Sequence, residues 1–582
     1  MTDMATDTDT KQVVNRSIPE HQLNPAVDPV IGRILAARGV ISAEESVYQL
    51  SNMLAIDKIK NLNNAAAVLV RHIDQGAKFL IFGDYDADGA TSTALCVRAL
   101  YLLGHQNVSY LMPDRFIDGY GLSLSVAQRI AMEKPQCVIT VDNGIASIDG
   151  IAYLRQKGID VVVTDHHLPA DKLPEASVIV NQNAWPDEKY GKYLAGVGVA
   201  FYLMLALRKL LRERDWFNAD RPEPNLASCL DLVALGTLAD LVPLDYNNRI
   251  LIDAGMKRIR AGACCYGIRA LIEISNKNLQ NLTSTDISFA IAPKINAAGR
   301  LDDMTVGVKC LLADDQIAAL ALANELHEIN NQRKNIQQQM SDQAMQQMQK
   351  LNHRAIDVES GIVLYQPDWH EGVVGIVATK IREKYHRPSI VFAMSEEGIL
   401  KGSGRSIPGI HLRDMLDFVD KKQPGLIAKF GGHAMAAGLS LEVSGLEQFT
   451  QAFKLAVAEL ADPACFKLEV ECDGELQASY LNMQFAQELQ NLSPWGQRFP
   501  APSFVGEFDV FSRRVLSEKH LKLQLKLPHG SDSGNQTIDA IAFFQPDEIL
   551  NSSNQKIHIH YELNVNIYRQ QKSLQLLIHD IL

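Results

Sequence analysis

Between residues 78 and 180 five short β-rich runs follow one another: KFLIFG at 78–83, NVSYLM at 107–112, QCVITV at 136–141, DVVVT at 160–164 and SVIV at 177–180. The intervening segments are long enough to hold crossover helices. This rhythm predicts an α/β unit with a parallel sheet covered on both faces, because strands buried on both sides read as unbroken apolar runs. Such sheets bind ligands beyond the carboxyl ends of their strands. In this chain the residues at those ends are acidic.

The first run leads into Asp84, Asp86 and Asp88 of DYDADG, ahead of a small-residue helix start. At an extended strand end alternate residues face one way, so carboxylates at spacing two crowd their charge on one side. A cation relieves that crowding. Helix capping is the ordinary use of an aspartate at such a place, but a cap needs only one. The design recurs where Asp142 ends VITV and where Asp165, His166 and His167 end VVVT. Neighbouring parallel strands lie about 4.8 Å apart, so these ends meet over a single site. Asp240, after GTLA, is a further metal candidate, whereas Asp231 serves equally well as a helix N-cap. Carboxylates with imidazole favour Mn2+ or Mg2+ over a thiolate metal.

The rest of the sequence places this site in a larger protein. At 582 residues the chain is too long for one core. Ile317, Leu320, Ala323, Leu326, Ile329, Ile336, Met340 and Leu351 mark a helix running through a Gln-rich segment, a connector between two lobes. A second α/β region is expected from 361 to about 460, with glycine-rich turns at 402–409 and 431–438. From 465 onward KLEVEC, LKLQLKL, KIHIHYEL and SLQLLIHDIL predict a small β-barrel or sandwich. The net charge of −12 argues against a uniformly basic nucleic-acid coat, but not against a local basic channel. The eight cysteines show no C-x-x-C spacing and suit reduced thiols. With no signal-peptide pattern and no apolar run long enough to span a membrane, the expected location is the cytoplasm.

The motifs DYDADG, VDNG, TDHH and the aspartate of GTLADLVPL resemble the DHH phosphoesterase superfamily. Five further strings narrow the resemblance to its RecJ family of 5′-to-3′ single-stranded-DNA exonucleases: LAGVGVAFYL, INAAGRLDD, WHEGVVGIVATKI, GSGRSIPGIHL and KFGGHAMAAGLSL. The resemblance implies a polar leader at 1–30, a DHH catalytic domain at 31–313, a long connecting helix at 314–355, a DHHA1-type domain at 356–462 and an OB-fold barrel at 463–582. It also implies a pair of Mn2+ or Mg2+ ions on Asp86, Asp88, Asp142, His166 and Asp240, with Asp84, Asp165 and His167 as ligands or supports. Asn296, Arg300, Ser403 and Arg405 would hold phosphates of the strand, and His433 of the GGH string, after Gly432, would reach a phosphate from across a cleft. On the barrel, Arg513, Arg514, Lys519 and Lys522 form a basic stripe suited to guiding a single strand, and a solvated hairpin face would look the same. The glycines of LAGVGVA are read as allowing close helix packing. Implied partners are single-stranded DNA, a single-strand-binding protein and a RecQ-type helicase, for a monomeric enzyme. A phosphodiesterase for short oligonucleotides or cyclic dinucleotides, and an inactive DNA-binding scaffold, are the competing readings.

Overall fold

The computed structural model describes residues 12–23, 27–352, 361–395, 398–527, 536–568 and 571–582. The start of the expected leader, residues 1–11, and the end of the expected connector, residues 353–355, lie outside that set, as does the side chain of Leu351.

A short strand, β1 (Gln12–Asn15), opens the described chain. The first lobe is built on β2 (Phe79–Phe82), β3 (Val108–Leu111), β4 (Cys137–Val141), β5 (Asp160–Thr164) and β6 (Val178–Val180). All pair in parallel, in the order β3-β2-β4-β5-β6. Every residue of β2 and β4 is buried, as their unbroken apolar runs require. The order reverses between β2 and β4, and the crevice beyond their carboxyl ends is where a doubly wound sheet takes its ligand. Asp84, Asp86 and Asp142 lie there.

The second lobe carries β7 (Ile362–Tyr365), β8 (Ser389–Met394), β9 (Ile399–Arg405), β10 (Lys429–Gly432) and β11 (Ala436–Glu442) in a mixed sheet of order β10-β11-β9-β8-β7. The glycine-rich segments expected as turns are therefore largely strands. Their glycines make room for neighbours: a Cβ on Gly402 would collide with the Phe392 ring.

The lobes are joined by a 37-residue helix, Gln316–Asn352. Ala319, Ala323 and Leu326 bury into the first lobe's core, and Met340, Ala344 and Met348 into the second's. Ile317, expected on the apolar stripe, is instead exposed.

The C-terminal strands are β12 (Glu469–Cys472), β13 (Phe504–Leu516), β14 (His520–Lys526), β15 (Thr537–Ala542), β16 (Lys556–Tyr568) and β17 (Gln571–Ile581). The last five close a barrel, β13-β14-β15-β17-β16. KLEVEC is not part of it, since β12 pairs in parallel with β1. That pairing also corrects the leader expected at 1–30. Residues 12–15 are built into the fold, and the helix Pro29–Ala36 starts within that range, capped by Asp28.

Candidate metal centre and the arginine cluster facing it

The loop after β2 turns directly into the helix Ala87–Leu102, whose N-cap is Asp86. One Asp86 carboxylate oxygen accepts from the backbone N–H groups of Asp88 and Gly89, at 2.9 and 3.0 Å. The other oxygen stays available. Asp84, Asp86 and Asp142 each bring a carboxylate oxygen within 4.8 Å of one another. Asp88, His166 and Asp240 form a second such group, and Asp142, His166 and His167 a third. Asp142 and His166 thus link the clusters, with His166 Nε2 3.1 Å from Asp142 Oδ1 and 3.5 Å from Asp240 Oδ2.

Several local devices hold these groups in place. Asp88 accepts from the backbone N–H of Gly196 at 2.6 Å and of Val197 at 2.9 Å, the first amides of the helix Gly196–Glu213. A helix N-terminus favours negative charge there. Gly196 also lies against Asp142, where a Cβ would stand 2.5 Å from the aspartate's own Cβ. So the LAGVGVA glycines allow close approach, as expected, but the surface approached is the acidic site. Asp142 itself adopts φ 62°, the left-handed region that non-glycine residues seldom occupy. Asp165 uses both oxygens on the protein. It accepts from His166 N–H, His167 N–H and Ile145 N–H, and it lies 2.8 Å from His167 Nδ1. Asp240 ends the helix Leu230–Asp240, while Asp231 at its start pairs with Arg98 and accepts from Cys265 N–H, away from the site.

The site carries more negative charge than the chain neutralises. Burial first, then Asp86, pushes the Asp84 carboxyl up to about 8. Asp88 is raised to about 7 by burial and Asp240, and Asp240 to about 7 by burial and Asp86. Asp142 is raised by burial and by Asp88 and Asp86. Burial lowers His166, keeping it a neutral donor of a lone pair, whereas for His167 burial is opposed by the Asp165 hydrogen bond together with the charges of Asp165, Asp240 and Asp84, which jointly lift it to about 9. Asp84 Oδ1, Asp142 Oδ1 and His166 Nε2 are buried without a hydrogen-bond partner. Orphaned acceptors converging on one point fit a hard divalent cation with oxygen and imidazole ligands.

Opposite these acids stands a cluster of guanidiniums. Arg300, on the helix Ala292–Leu301, donates to the Gly372 carbonyl of the second lobe at 3.2 Å. Burial and the nearby Arg115, Arg333 and Arg405 push it down to about 10. Arg405 donates to Ser403 Oγ at 3.0 Å. Mutually repelling cations in a half-buried pocket call for an anion. His433 faces the site from β10's end, its pKa lowered by burial and by His167. Gly432 beside it takes φ 143°. Asn296 fixes the acidic loop: its side-chain oxygen accepts from Ala87 N–H at 2.7 Å, a bond that does not use the amide N–H donors a phosphate would take. On the barrel Arg514 and Lys522 are cross-strand partners of β13 and β14 and so share a face. Arg514 and Lys519 are exposed and Arg513 half-buried, while Lys522 pairs with Asp539 at 3.0 Å.

Arg115, Tyr85 and Tyr120 are missing from the residues named on sequence grounds. The Arg115 guanidinium lies 4.1 Å from the centre of the Tyr85 ring, and Tyr120 packs between Tyr85 and His167. Arg115 follows β3, one more strand end on the same edge, and that position is the signal that could have found it.

The DHH family, N-terminal domain, matches residues 78–237, the DHHA1 domain residues 359–459 and the RecJ OB domain residues 472–580. The single-stranded-DNA-specific exonuclease RecJ of Salmonella typhimurium is 48% identical over 98% of this chain and 99% of its own, and that of Escherichia coli 47% over 98% and 99%. The crystal structure of RecJ from Thermus thermophilus in complex with Mn2+ superposes with a TM-score of 0.78 at 30% identity, covering 95% of this chain and 76% of that one. With two relatives near half identity over almost their whole length, the chain belongs to the RecJ family.

Proposed function

We propose that the chain degrades single-stranded DNA from its 5′ end to 5′-mononucleotides, using two divalent ions held by Asp84, Asp86, Asp88, Asp142, His166 and Asp240. The observation that carries this reading is the pairing of two incomplete charge sets across one cleft: buried carboxylates lacking a cation and, among the described residues, half-buried guanidiniums without an acidic partner. A metal-bound phosphodiester completes both. Bound Mn2+ or Mg2+ supplies an activated water and neutralises charge on the phosphoryl and leaving oxygens.

The protein's own residues orient the reaction. Arg300 and Arg405 offer planar donor pairs that match phosphate oxygens, and the Tyr85 ring beneath Arg115 limits where that guanidinium can point. His433, uncharged at neutral pH, donates to a phosphate oxygen from the second lobe. Asp165 is a positioning residue: its hydrogen bonds set the His167 ring and the backbone that carries His166.

Single strands arise where duplex DNA is unwound and are coated when free, which makes a RecQ-type helicase and a single-strand-binding protein the partners in recombination and repair. We assign the enzyme to the cytoplasm as a monomer, and its working units to 31–313, 314–355, 356–462 and 463–582. Among the described residues no helix is long and apolar enough to cross a membrane. Sedimentation at about 64.4 kDa checks the monomer. End-labelled single-stranded and duplex oligonucleotides with Mn2+ test the activity. Equal loss of both, or attack from 3′ ends alone, defeats the strand and polarity assignment.

A further inference from the structure

The segment after β6, residues 181–194, carries three cation–aromatic pairs. Lys60 Nζ stands 4.0 Å from the centre of the Trp185 ring, Lys58 Nζ 5.5 Å from that of Tyr190, and the Arg498 guanidinium 5.3 Å from that of Tyr193. Tyr190 is 45% and Tyr193 40% exposed. Lys58 and Lys60 are exposed and, among the described residues, have no acidic partner. This rim is fastened to the metal centre. Asn183 Nδ2 donates to the His166 carbonyl at 2.6 Å, and Asn181 Nδ2 to that of His167 at 2.8 Å.

The order of the sheet gives the rim a direction. Along the carboxyl edge, Arg115 follows β3, the acidic groups follow β2, β4 and β5, and the rim follows β6. Arg115 and the rim therefore leave the sheet from its two outermost strands, which lie about 19 Å apart with the acidic strand ends between them. A strand with its terminal phosphate among the arginines and its scissile bond at the carboxylates continues toward β6. Arg498, which also donates to the Tyr193 hydroxyl at 3.0 Å, belongs to the segment that leads into the barrel.

We propose that Trp185, Tyr190 and Tyr193, with Lys58, Lys60 and Arg498, seat the part of the single strand that has yet to be cleaved. The assignment rests on the nuclease reading above. The exposed Tyr190 and Tyr193 rings, each with a cation on one face, offer the other to stack a base, whatever the base is, while Trp185 packs partly against the first lobe's core and holds Lys60 at the rim, where the cation lies within reach of a flanking phosphate. Cation–aromatic pairs also occur as plain surface packing, and binding measurements separate the two uses.

Anisotropy of a labelled twenty-nucleotide strand, read in EDTA, follows binding without hydrolysis. Tyr190→Ala weakens binding about tenfold and Tyr190→Phe restores it. The Lys58→Ala/Lys60→Ala double variant makes the dependence of log Kd on log salt shallower by about 1.4. With Mn2+, Tyr190→Ala raises the ratio of KM for the long strand to KM for a 5′-phosphorylated dinucleotide about tenfold. A 5-iodouridine strand cross-links to Tyr190 or Trp185. Wild-type affinity and salt slope in both variants overturn the rim assignment and leave the nuclease reading intact. Failure of the wild type to degrade any strand with Mn2+ overturns the nuclease reading, while the anisotropy still judges the rim.

Discussion

Asp142 occupies two unfavourable states at once, a left-handed backbone and a buried carboxylate among other acids. Such strain persists where function requires it. Asn tolerates the left-handed region well and carries no charge. Asp142→Asn should therefore abolish hydrolysis while raising the melting temperature of the metal-stripped protein, an outcome read by calorimetry beside a nuclease assay. The same charge crowding sets a pH dependence. An acid whose pKa is higher folded than unfolded binds protons better when folded. The stability it lends is full below about pH 4 and is lost as pH rises through the folded values. For Asp88, Asp240 and Asp84 those values are about 7, 7 and 8. The EDTA-treated protein should melt progressively lower between pH 5 and pH 8, and saturating Mn2+ should flatten that slope. A melting temperature that rises over this range without metal would contradict it. The acidic and histidine residues were legible in the sequence because each ends an apolar run. Arg115, Tyr85 and Tyr120 were not: no spacing marks a single arginine or tyrosine in a loop, and only the place of Arg115 just after the β3 run sets it apart. Asn296 was legible as important, but its partner was not: a hydrogen bond to Ala87, more than two hundred residues away in the chain, depends on tertiary packing.

The helix Gln316–Asn352 shows what an element can transmit. Each half buries its small and apolar residues in a different lobe, while the middle, around Gln338 and Gln339, is exposed. A proline there costs about 3 kcal/mol and bends the helix. The candidate metal ligands all lie in the first lobe, whereas the phosphate pocket combines Arg300 and Arg115 with Arg405 of the second. Gln339→Pro should thus leave Mn2+ binding by titration calorimetry near wild type and reduce strand hydrolysis about a hundredfold through misplacement of the facing lobe. Loss of Mn2+ binding as well would show that the helix supports the first lobe rather than the alignment. This helix and the five strands of the first sheet were readable because a helical apolar stripe and an unbroken apolar run are both local signals. The glycine-rich strands β9, β10 and β11 were not, since glycine reads as a turn unless the neighbour it admits is known. For Gly402 that neighbour is Phe392, on the adjacent strand.

Across the whole molecule the cores are divided unevenly. One continuous apolar core runs from Ile31 through the first lobe and into the barrel, reaching Leu576 and Ile578. The second lobe has cores of its own. A buried ion pair ties the first lobe to the segment ahead of the barrel. Arg38, just after the Pro29–Ala36 helix, makes a bidentate pair with Asp473 at 2.7 and 2.9 Å, and its Nε donates to the Pro500 carbonyl at 2.6 Å. The side chains of the pair are 1% and 3% exposed. Opening such a pair from one side strands a buried charge, at a cost of about 3–5 kcal/mol. Cooperativity should follow shared core rather than chain order, so scanning calorimetry should resolve two transitions: the first lobe with the barrel, and the second lobe. Mn2+ at about a hundredfold excess over its Kd adds about 2.7 kcal/mol to whichever unit holds it, so it should raise the first transition. Arg38→Ala should lower that same transition and leave the other in place. If the barrel melts separately from the first lobe, or if Mn2+ shifts both transitions equally, the division by core is wrong and the long helix couples the lobes more tightly than its packing indicates.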